Sequence, residues 1–265
     1  MAKKRVVCIS DLHCGHLVGI TPPGWGDLQK EKMGRIRREC WIAYRRIVKS
    51  LLPIDVLIVN GDMIEGKGER SSGTELITSD REEQARMAAH CIDIWGADKI
   101  VATRGTPYHT GVGEEWENIA LQFCETGQSL HKIGDHEFCE VNGVVFDVKH
   151  HTGSSSVPHG RKTAVSKDQL WNMLWAIDDM QPAADWVVRS HVHYSEGGYR
   201  INKSDMSWAI TTPALQAMGS KYGKKRCSGK VDWGVVVWDV DSSGGVEWQV
   251  KSKQILSQKA TVTCL

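Results

Sequence analysis

The sequence predicts an α/β fold with a sheet of mainly parallel strands. Three short apolar runs rich in β-branched residues, at 6–9, 56–59 and 100–102, are typical of strands buried on both faces. Between them lie longer segments with the periodicity of amphipathic helices. No internal repeat or low-complexity linker divides the 265 residues, so we expect a single domain over residues 1–265.

The composition argues against several classes of protein. With 41% hydrophobic residues, 25% charged residues and a formal net charge of +1, the chain has no global field that favours nucleic acid or an anionic membrane. Eight cysteines without C-x-x-C spacing argue against a zinc ribbon or a disulfide framework and favour a reduced setting. The apolar runs are too short for a signal peptide or a membrane span. We therefore expect a cytoplasmic protein that does not contact membranes.

The first predicted strand carries two potential metal ligands at its carboxyl end. The run at 6–9 is followed by Asp11 and His13, and ligands bind at this edge in open α/β sheets. On an extended backbone, residues i and i+2 point the same way, so one ion could meet both side chains. A Gly- and Pro-rich loop follows, and then a helix is predicted at about 29–52, ended by Pro53.

The second predicted strand also ends in a carboxylate. Asp62 follows the run at 55–60, and Gly61 lets the backbone turn between them. A polar loop follows, and a capping-box pattern at 79–82 then opens a helix that reaches about Trp95.

The third predicted strand, at 98–103, leads into a short segment with several polar groups. This segment contains Arg104, Thr106 and His109. A helix is predicted after it at about 114–125.

The period of the pattern changes in the second half of the chain. Asn142-Gly143 between two alternating runs is a strong signal for a two-residue β-hairpin. A helix is predicted at about 166–180, and its tryptophans, Trp171 and Trp175, are expected in the core. Two predicted strands of this half end in histidines: His150, His151, His191 and His193. Further strands are predicted at 198–201, 207–211, 231–240 and 246–251.

Five predicted strand ends therefore carry side chains of the kind that bind metals. They follow one another at intervals of about 40–50 residues, enough for one strand, a crossover and the next strand. Successive strand ends of such a sheet lie along one edge, so the side chains can converge. Mixed carboxylate and imidazole ligands suit Mn²⁺, Fe, Zn²⁺ or Ni²⁺ and argue against a pure Ca²⁺ or Mg²⁺ site. The ligands suffice for two ions with one aspartate between them.

This order and spacing resemble the calcineurin-like metallophosphoesterase superfamily over about residues 6–193. The matching residues are Asp11-x-His13, Gly61-Asp62, His109, His150 and His191-x-His193. The resemblance implies a four-layer α/β/β/α sandwich of two mixed β-sheets flanked by helices, with the later strand-rich region supplying the second sheet. It also implies a hydrolase that uses two divalent metal ions.

The resemblance further implies a role for each matching residue. The ligands would be Asp11, His13 and His193 for one metal and His150 and His191 for the other, with Asp62 bridging the two. His150 is preferred to His151 because the first histidine after the strand is the usual ligand in the family. His109 matches the histidine that protonates the leaving group or stabilises the phosphoryl charge.

One segment departs from the family pattern. The family usually has Gly-Asn-His, with the Asn as a ligand of the second metal, whereas this chain has Gly105-Thr106-Pro107-Tyr108-His109. We expect the Thr106 hydroxyl, a backbone carbonyl or water to take the ligand position of that Asn. Arg104, His151 and His159 are candidate contacts for the substrate.

The implied reaction is hydrolysis of a phosphate ester by attack of a hydroxide that bridges the two metals, with Asp62 and His109 as catalytic residues. A basic loop at 221–230 favours a polyanionic substrate, so we expect a phosphodiesterase or nuclease that acts on nucleotides or nucleic acid. Trp25 is a candidate for stacking on the substrate. The alternatives are a phosphomonoesterase, including a protein phosphatase, and a degenerate metal-binding module without catalytic activity.

Overall fold

The structure is a computed structural model, and it describes residues 2–25, 32–111, 115–127, 129–202, 205–219, 229–259 and 262–263. The strands are β1 (Lys4–Ile9), β2 (Val56–Asn60), β3 (Lys99–Thr103), β4 (Leu130–Gly134), β5 (Glu137–Val141), β6 (Val144–Val148), β7 (Trp186–Arg189), β8 (Gly197–Asn202), β9 (Asp205–Thr211), β10 (Gly234–Val240) and β11 (Val246–Ser252). The helices are α1 (Lys32–Leu51), α2 (Arg81–Asp93), α3 (Pro107–Thr110), α4 (Trp116–Gln122) and α5 (Thr163–Ile177).

The first sheet is built around the apolar runs near the amino terminus. Its strand order is β11-β10-β1-β2-β3-β4, in which β1 to β4 are parallel and β10 and β11 are antiparallel to their neighbours. Side chains alternate between the two faces of a strand. Val7, Ile9 and Leu57 therefore pack in the core beneath the helices, whereas Cys8 and Ile58 face the second sheet.

The second sheet has the strand order β5-β6-β7-β9-β8. Strands β6, β7 and β9 are parallel, and the edge pairs β5–β6 and β8–β9 are antiparallel. Helix α5 packs on its outer face through a small cluster that contains Val165, Val187 and Ala209. Helices and two mixed sheets thus form the four layers, and the predicted α/β/β/α sandwich is confirmed.

Several local predictions from the sequence are confirmed. The hairpin turns at Asn142-Gly143, where both residues have positive φ (50° and 83°), as a two-residue turn with this sequence requires. Helix α1 ends at Leu51, just before Pro53. The Asp80 side chain caps α2 by accepting from the backbone N–H groups of Glu82 and Glu83, so the cap lies one residue later than the capping-box pattern at 79–82 suggests.

Two predictions about strands and helices are wrong. Strands β10 and β11 join the first sheet, because the apolar strand β10 pairs with β1, so the later strands are divided between both sheets. Trp171 and Trp175 are exposed, since α5 turns its other face, with Gln169 and Asn172, toward the sheet.

The expectation of a single domain stays a prediction. In the part of the chain that the structure describes, no helix combines the length and apolarity needed to cross a bilayer. The predicted helix at 114–125 corresponds to α4, although residues 112–114 lie outside the described residues.

Candidate metal centre

The candidate ligands come from the ends of strands in both sheets. Asp11 and His13 follow β1 and Asp62 follows β2 in the first sheet, whereas His150 and His191 follow β6 and β7 in the second. The expectation that all of them lie along the edge of one sheet is therefore wrong. The two packed sheets bring their carboxyl ends together, and the ligands converge from two sides.

The backbone at this site is not extended. Five of the candidate ligands have positive φ, between 46° and 72°: Asp11, His13, Asp62, His191 and His193. Residues with a Cβ enter this left-handed region at a cost of about 1–2 kcal/mol each. Backbone hydrogen bonds from Asp11 N to Gly61 O (3.0 Å) and from His13 N to Asp62 O (2.9 Å) hold the two loops in place. Asp11 and His13 therefore point to the same site because their loop adopts a strained left-handed backbone, and not because they continue an extended strand.

One group of donor atoms forms around Asp11. Its Oδ1 lies 3.1 Å from His193 Nε2 and 4.0 Å from His13 Nε2, and the two histidine nitrogens are 3.3 Å apart. Asp11 and His13 are buried, and the His193 side chain is about one-fifth exposed. Each residue offers one ligand atom toward the same point.

A second group forms around Asp62. Its Oδ2 lies 3.1 Å from His150 Nε2 and 4.0 Å from His191 Nδ1. The same oxygen is 3.9 Å from His13 Nε2 and 3.8 Å from His109 Nε2. Asp62 therefore stands between the two groups, where a bridging carboxylate would have to be.

Hydrogen bonds behind the site orient two of the histidines. Glu65 Oε2 accepts from His13 Nδ1 at 2.8 Å, and the backbone carbonyl of Asn60 accepts from His150 Nδ1 at 2.7 Å. In the neutral form of each ring, which a metal ligand requires, Nδ1 carries the proton and the Nε2 lone pair faces the neighbouring carboxylates. This is the arrangement that histidine ligands of metals adopt in proteins.

The electrostatics of the site favour positive charge. Burial raises the pKa of Asp62, but His150, His109 and the hydrogen bonds of the site outweigh it and hold that pKa well below its usual value. Burial also raises the pKa of Asp11, but His193 and His150 outweigh burial and lower that pKa to about 2. In His150, the Asp62 and Asp11 carboxylates outweigh burial and raise the pKa to about 10. Both aspartates are thus ionised, and their combined charge attracts cations.

The donor set fits a pair of divalent metal ions. Asp11 Oδ1 and His150 Nε2 are buried and have no hydrogen-bond partner, although each lies 3.1 Å from another donor atom. Atoms that share one ion at about 2.0–2.2 Å lie roughly 3–4 Å apart, which matches these separations. A buried polar atom without a partner is costly, and a cation between the donors would remove that cost.

His109 and Thr106 also approach Asp62. His109 lies in the short helix α3, where its Nδ1 donates to the Glu65 carbonyl at 3.1 Å, so its Nε2 points to the cleft. Thr106 donates to Asp62 Oδ1 through both its backbone N–H (2.7 Å) and its hydroxyl (3.1 Å). Direct coordination of a metal by Thr106 stays a prediction, and the contact that the structure provides is with the bridging carboxylate.

Two buried glutamates at the site were not identified from the sequence. Glu65 accepts a hydrogen bond from His13, and it lies only three residues after Asp62, in a segment whose sequence predicts a polar loop. Glu117 accepts from the backbone N–H groups of Met63 (2.7 Å) and Gly105 (2.6 Å), and burial together with the charge of Asp62 raises its pKa to about 7. The signal for Glu117 was a carboxylate in the apolar stripe of a predicted amphipathic helix.

The candidate substrate contacts are dispersed. Arg104 is not in the ligand cluster, because its guanidinium pairs with Asp135 (3.0 Å) and donates to Asn118 (3.1 Å). His151 is exposed, and its ring centroid lies 4.8 Å from that of His191. His159 is exposed in a 3₁₀ turn.

Two further predictions concern segments beside the site. Trp25 packs against the core beneath the helices of the first sheet, with its ring centroid 5.9 Å from that of His90, and its stacking on a substrate stays a prediction. Residues 221–228 of the predicted basic loop lie outside the described residues.

The site opens into a cleft of about 560 Å³. His13, Asp62, His109 and His193 form part of its floor. Cationic side chains, Arg161 and Lys230, line its rim, and the Arg161 guanidinium lies over the Tyr194 ring at 4.4 Å. The cleft is in the size range of sites for small-molecule ligands.

Comparisons with known proteins give only distant likenesses. No protein-family model matches the chain, and no curated protein matches it. Among solved structures, an archaeal phosphodiesterase is 12% identical, with 93% of this chain and 99% of that chain covered and a TM-score of 0.43. A predicted phosphoesterase from Streptococcus pneumoniae TIGR4 is 11% identical, with 96% and 99% covered and a TM-score of 0.37. A purple acid phosphatase from yellow lupin (Lupinus luteus) seeds is 12% identical, with 100% and 57% covered and a TM-score of 0.44.

Proposed function

We propose that this protein, whose two mixed sheets and carboxylate–histidine site have the calcineurin-like metallophosphoesterase pattern, is a metal-dependent phosphoesterase that prefers phosphodiesters. The observation that carries the proposal is the position of Asp62 between two groups of donor atoms, one around Asp11 and one that includes His150. A cytoplasmic location stays a prediction.

The proposed ligands divide into two sets. Asp11, His13 and His193 would hold one ion, His150 and His191 the other, and Asp62 would contact both. Two divalent ions held there would supply a nucleophile at neutral pH and neutralise charge on the phosphoryl oxygens during in-line displacement. The two ions are proposed to be Mn²⁺, Fe, Zn²⁺ or Ni²⁺, because these metals bind imidazole and carboxylate ligands together.

His109 is the proposed acid of the site. The Glu65 carbonyl fixes its ring through Nδ1, and Nε2 lies 3.8 Å from Asp62 Oδ2 at the floor of the cleft. From there a protonated His109 can donate to the leaving oxygen or stabilise the charge on the phosphoryl group. Thr106 donates twice to Asp62, which keeps that carboxylate in one orientation.

The preference for diesters rests on the rim of the cleft. Arg161 and Lys230 place two cations beside the floor, and a second esterified group of a nucleotide or nucleic acid would extend past them. A phosphomonoesterase remains the enzymatic alternative, since the same floor binds any phosphoryl group. A metal-binding module without turnover is the third possible function.

Hydrolysis of generic aryl phosphates separates these functions. The purified protein is assayed with bis-(p-nitrophenyl) phosphate and p-nitrophenyl phosphate in the presence of Mn²⁺, Ni²⁺, Zn²⁺ or Fe²⁺ in turn. We expect faster turnover of the diester, and a loss of about a thousandfold or more in kcat/KM in Asp62→Asn. Asp135→Asn is the control, because Asp135 is exposed and lies outside the ligand cluster.

The other outcomes each contradict part of the proposal. Turnover of the monoester alone would assign the protein as a phosphomonoesterase. A protein that binds metal but hydrolyses neither substrate would be the non-catalytic module. If the diester is cleaved, assays with single- and double-stranded DNA and RNA identify the substrate class.

A further inference from the structure

Helix α5 exposes a large apolar face. Leu170, Trp171, Leu174 and Trp175 are between 42% and 54% exposed, and they follow one another with the i, i+1, i+4, i+5 spacing of one helix face. The opposite face of α5 packs on β7, β8 and β9. Two adjacent exposed tryptophans are unusual on the surface of a soluble monomer and indicate an interaction site.

Charged residues stand at both ends of this face. Lys167 lies three residues before Leu170, and Asp178 lies three residues after Trp175, and both are exposed. With 3.6 residues per turn, both fall on the same side of the helix as the four apolar residues. Among the described residues, neither has a salt-bridge partner within the chain.

The charges of the two capping residues of α5 are the reverse of what an isolated helix favours. The dipole of a helix favours anions near its amino terminus and cations near its carboxyl terminus. In α5 the capping residues are Lys162 at the start and Asp178 at the end, with no acidic residue in the first turn and no basic residue in the last. The helix dipole therefore does not account for Asp178 at the carboxyl end of α5.

The pattern is symmetric about a point between Asn172 and Met173. In an antiparallel pair of α5 helices related by a two-fold axis at that point, Lys167 would meet the partner's Asp178. Leu170 would meet the partner's Trp175, and Trp171 the partner's Leu174. Such a pair buries every aromatic ring against an aliphatic side chain and forms two equivalent ion pairs.

We propose that this face binds a second copy of the chain, so that two α5 helices pack antiparallel in a two-fold symmetric dimer. With Ile177 at the edge, which is 72% exposed, the apolar side chains of the face expose on the order of 600 Å². A standard interface buries roughly 800 Å² on each partner, including its polar rim. The face is thus large enough for a stable dimer.

A second copy fits the face better than a lipid surface. Asp178 and Asp179 at the carboxyl end of α5 would be repelled by anionic headgroups, whereas interfacial helices carry cations on their polar side. Asp178 is instead paired with Lys167 in a partner helix that runs in the opposite direction.

The mass of the protein in solution tests the proposal. Sedimentation velocity and light scattering should give twice the 29.5 kDa of one chain at the higher protein concentrations. Trp171→Glu should weaken the dimer about a hundredfold or more, because it places a charge in the centre of the interface. Ile42→Glu is the matched control, since Ile42 is also an exposed apolar residue (43%, against 54% for Trp171) but lies on α1, and it should leave the mass unchanged.

A charge swap tests the register. Lys167→Asp should weaken the dimer about tenfold, since symmetry places two like-charged pairs in it, and Asp178→Lys should do the same. The double variant Lys167→Asp/Asp178→Lys should recover the affinity. Circular dichroism checks that each variant is folded.

Three results would overturn the proposal. The first is a monomer at all concentrations, and the second is a dimer that Trp171→Glu leaves intact. The third is a monomer that sediments with vesicles containing phosphatidylserine.

Discussion

His13 Nδ1 donates to Glu65 Oε2 at 2.8 Å, and the Nε2 of the same ring faces Asp11, Asp62 and His193. Burial lowers the pKa of His13, as does the nearby His109, so the ring is held neutral with one lone pair toward the site. Glu65 therefore fixes both the orientation and the tautomer of a proposed metal ligand.

Glu65→Gln should lower the affinity for Mn²⁺ about 10- to 100-fold, because an amide is a weaker acceptor for His13 Nδ1–H. Titration calorimetry of the metal-free protein measures this change. The control is Glu69→Gln, whose side chain is exposed in the same loop and contacts none of the ligands among the described residues. Equal affinity in the two variants would refute the role of Glu65.

Glu117→Gln should destabilise the fold by about 1–3 kcal/mol, because one of the two backbone N–H groups, Met63 or Gly105, would then face an amide NH₂. Turnover should also fall, since Gly105 leads into the segment that carries His109. Urea denaturation gives the free energy of unfolding. Glu115→Gln, at an exposed position beside the same helix, is expected to have no effect beyond the error.

Gly105→Ala should strongly lower the activity while the protein stays folded. A Cβ on Gly105 would overlap the side chain and backbone of Asp62, so the bridging carboxylate would have to move. We expect kcat/KM to fall about a hundredfold or more, since misplacement by about 1 Å is enough for such a loss. Gly198→Ala serves as the control, because a Cβ there meets only open space; a similar loss in both variants would point to a general effect of the substitution.

Thr106→Val should lower kcat/KM about tenfold, whereas Thr106→Ser should stay close to the natural protein. Valine removes the hydroxyl that donates to Asp62 Oδ1 but keeps the backbone N–H donor and the shape of the side chain. Steady-state kinetics with the diester substrate checks both variants. A loss in the serine variant as large as in the valine variant would mean that the methyl group, and not the hydroxyl, is required.

Asp147 should make the stability depend on pH. Burial raises its pKa, but hydrogen bonds from His136 (2.7 Å) and Arg189 (2.8 Å) outweigh burial and lower the pKa below its ordinary value. An unfolded Asp has a pKa of about 3.9. The stabilisation of the fold by the ionised Asp147 is therefore fully present above about pH 5 and is lost as the pH falls through the folded-state pKa.

Asp147→Asn should therefore lower the free energy of unfolding by about 3 kcal/mol at neutral pH, and by less as the pH falls below about 4. Urea denaturation of both proteins at a series of pH values measures the difference, with Asp135→Asn as the exposed control. If the two proteins differ in the free energy of unfolding by the same amount at every pH, the stabilisation does not come from the ionised Asp147 carboxylate.

The sequence by itself determined the secondary-structure elements and the residue types of the proposed metal ligands. Periodicity is local, so the strands ending near Ile9 and Asn60, the hairpin at Asn142-Gly143 and the end of α1 before Pro53 could all be read from neighbouring residues. The chemistry of a metal ligand also belongs to its residue type, so Asp62 and His150 could be proposed from the sequence alone.

Only the tertiary structure decided how these ligands meet. The division of the strands between two sheets, and the positive φ of residues such as Asp11 and His191, depend on contacts between segments far apart in the chain. The role of Glu117 could not be assigned because its partners, the backbone N–H groups of Met63 and Gly105, come from two other loops. The exposure of Trp171 could not be predicted from the sequence either, because a hydrophobic pattern identifies an apolar face of a helix but not what covers that face.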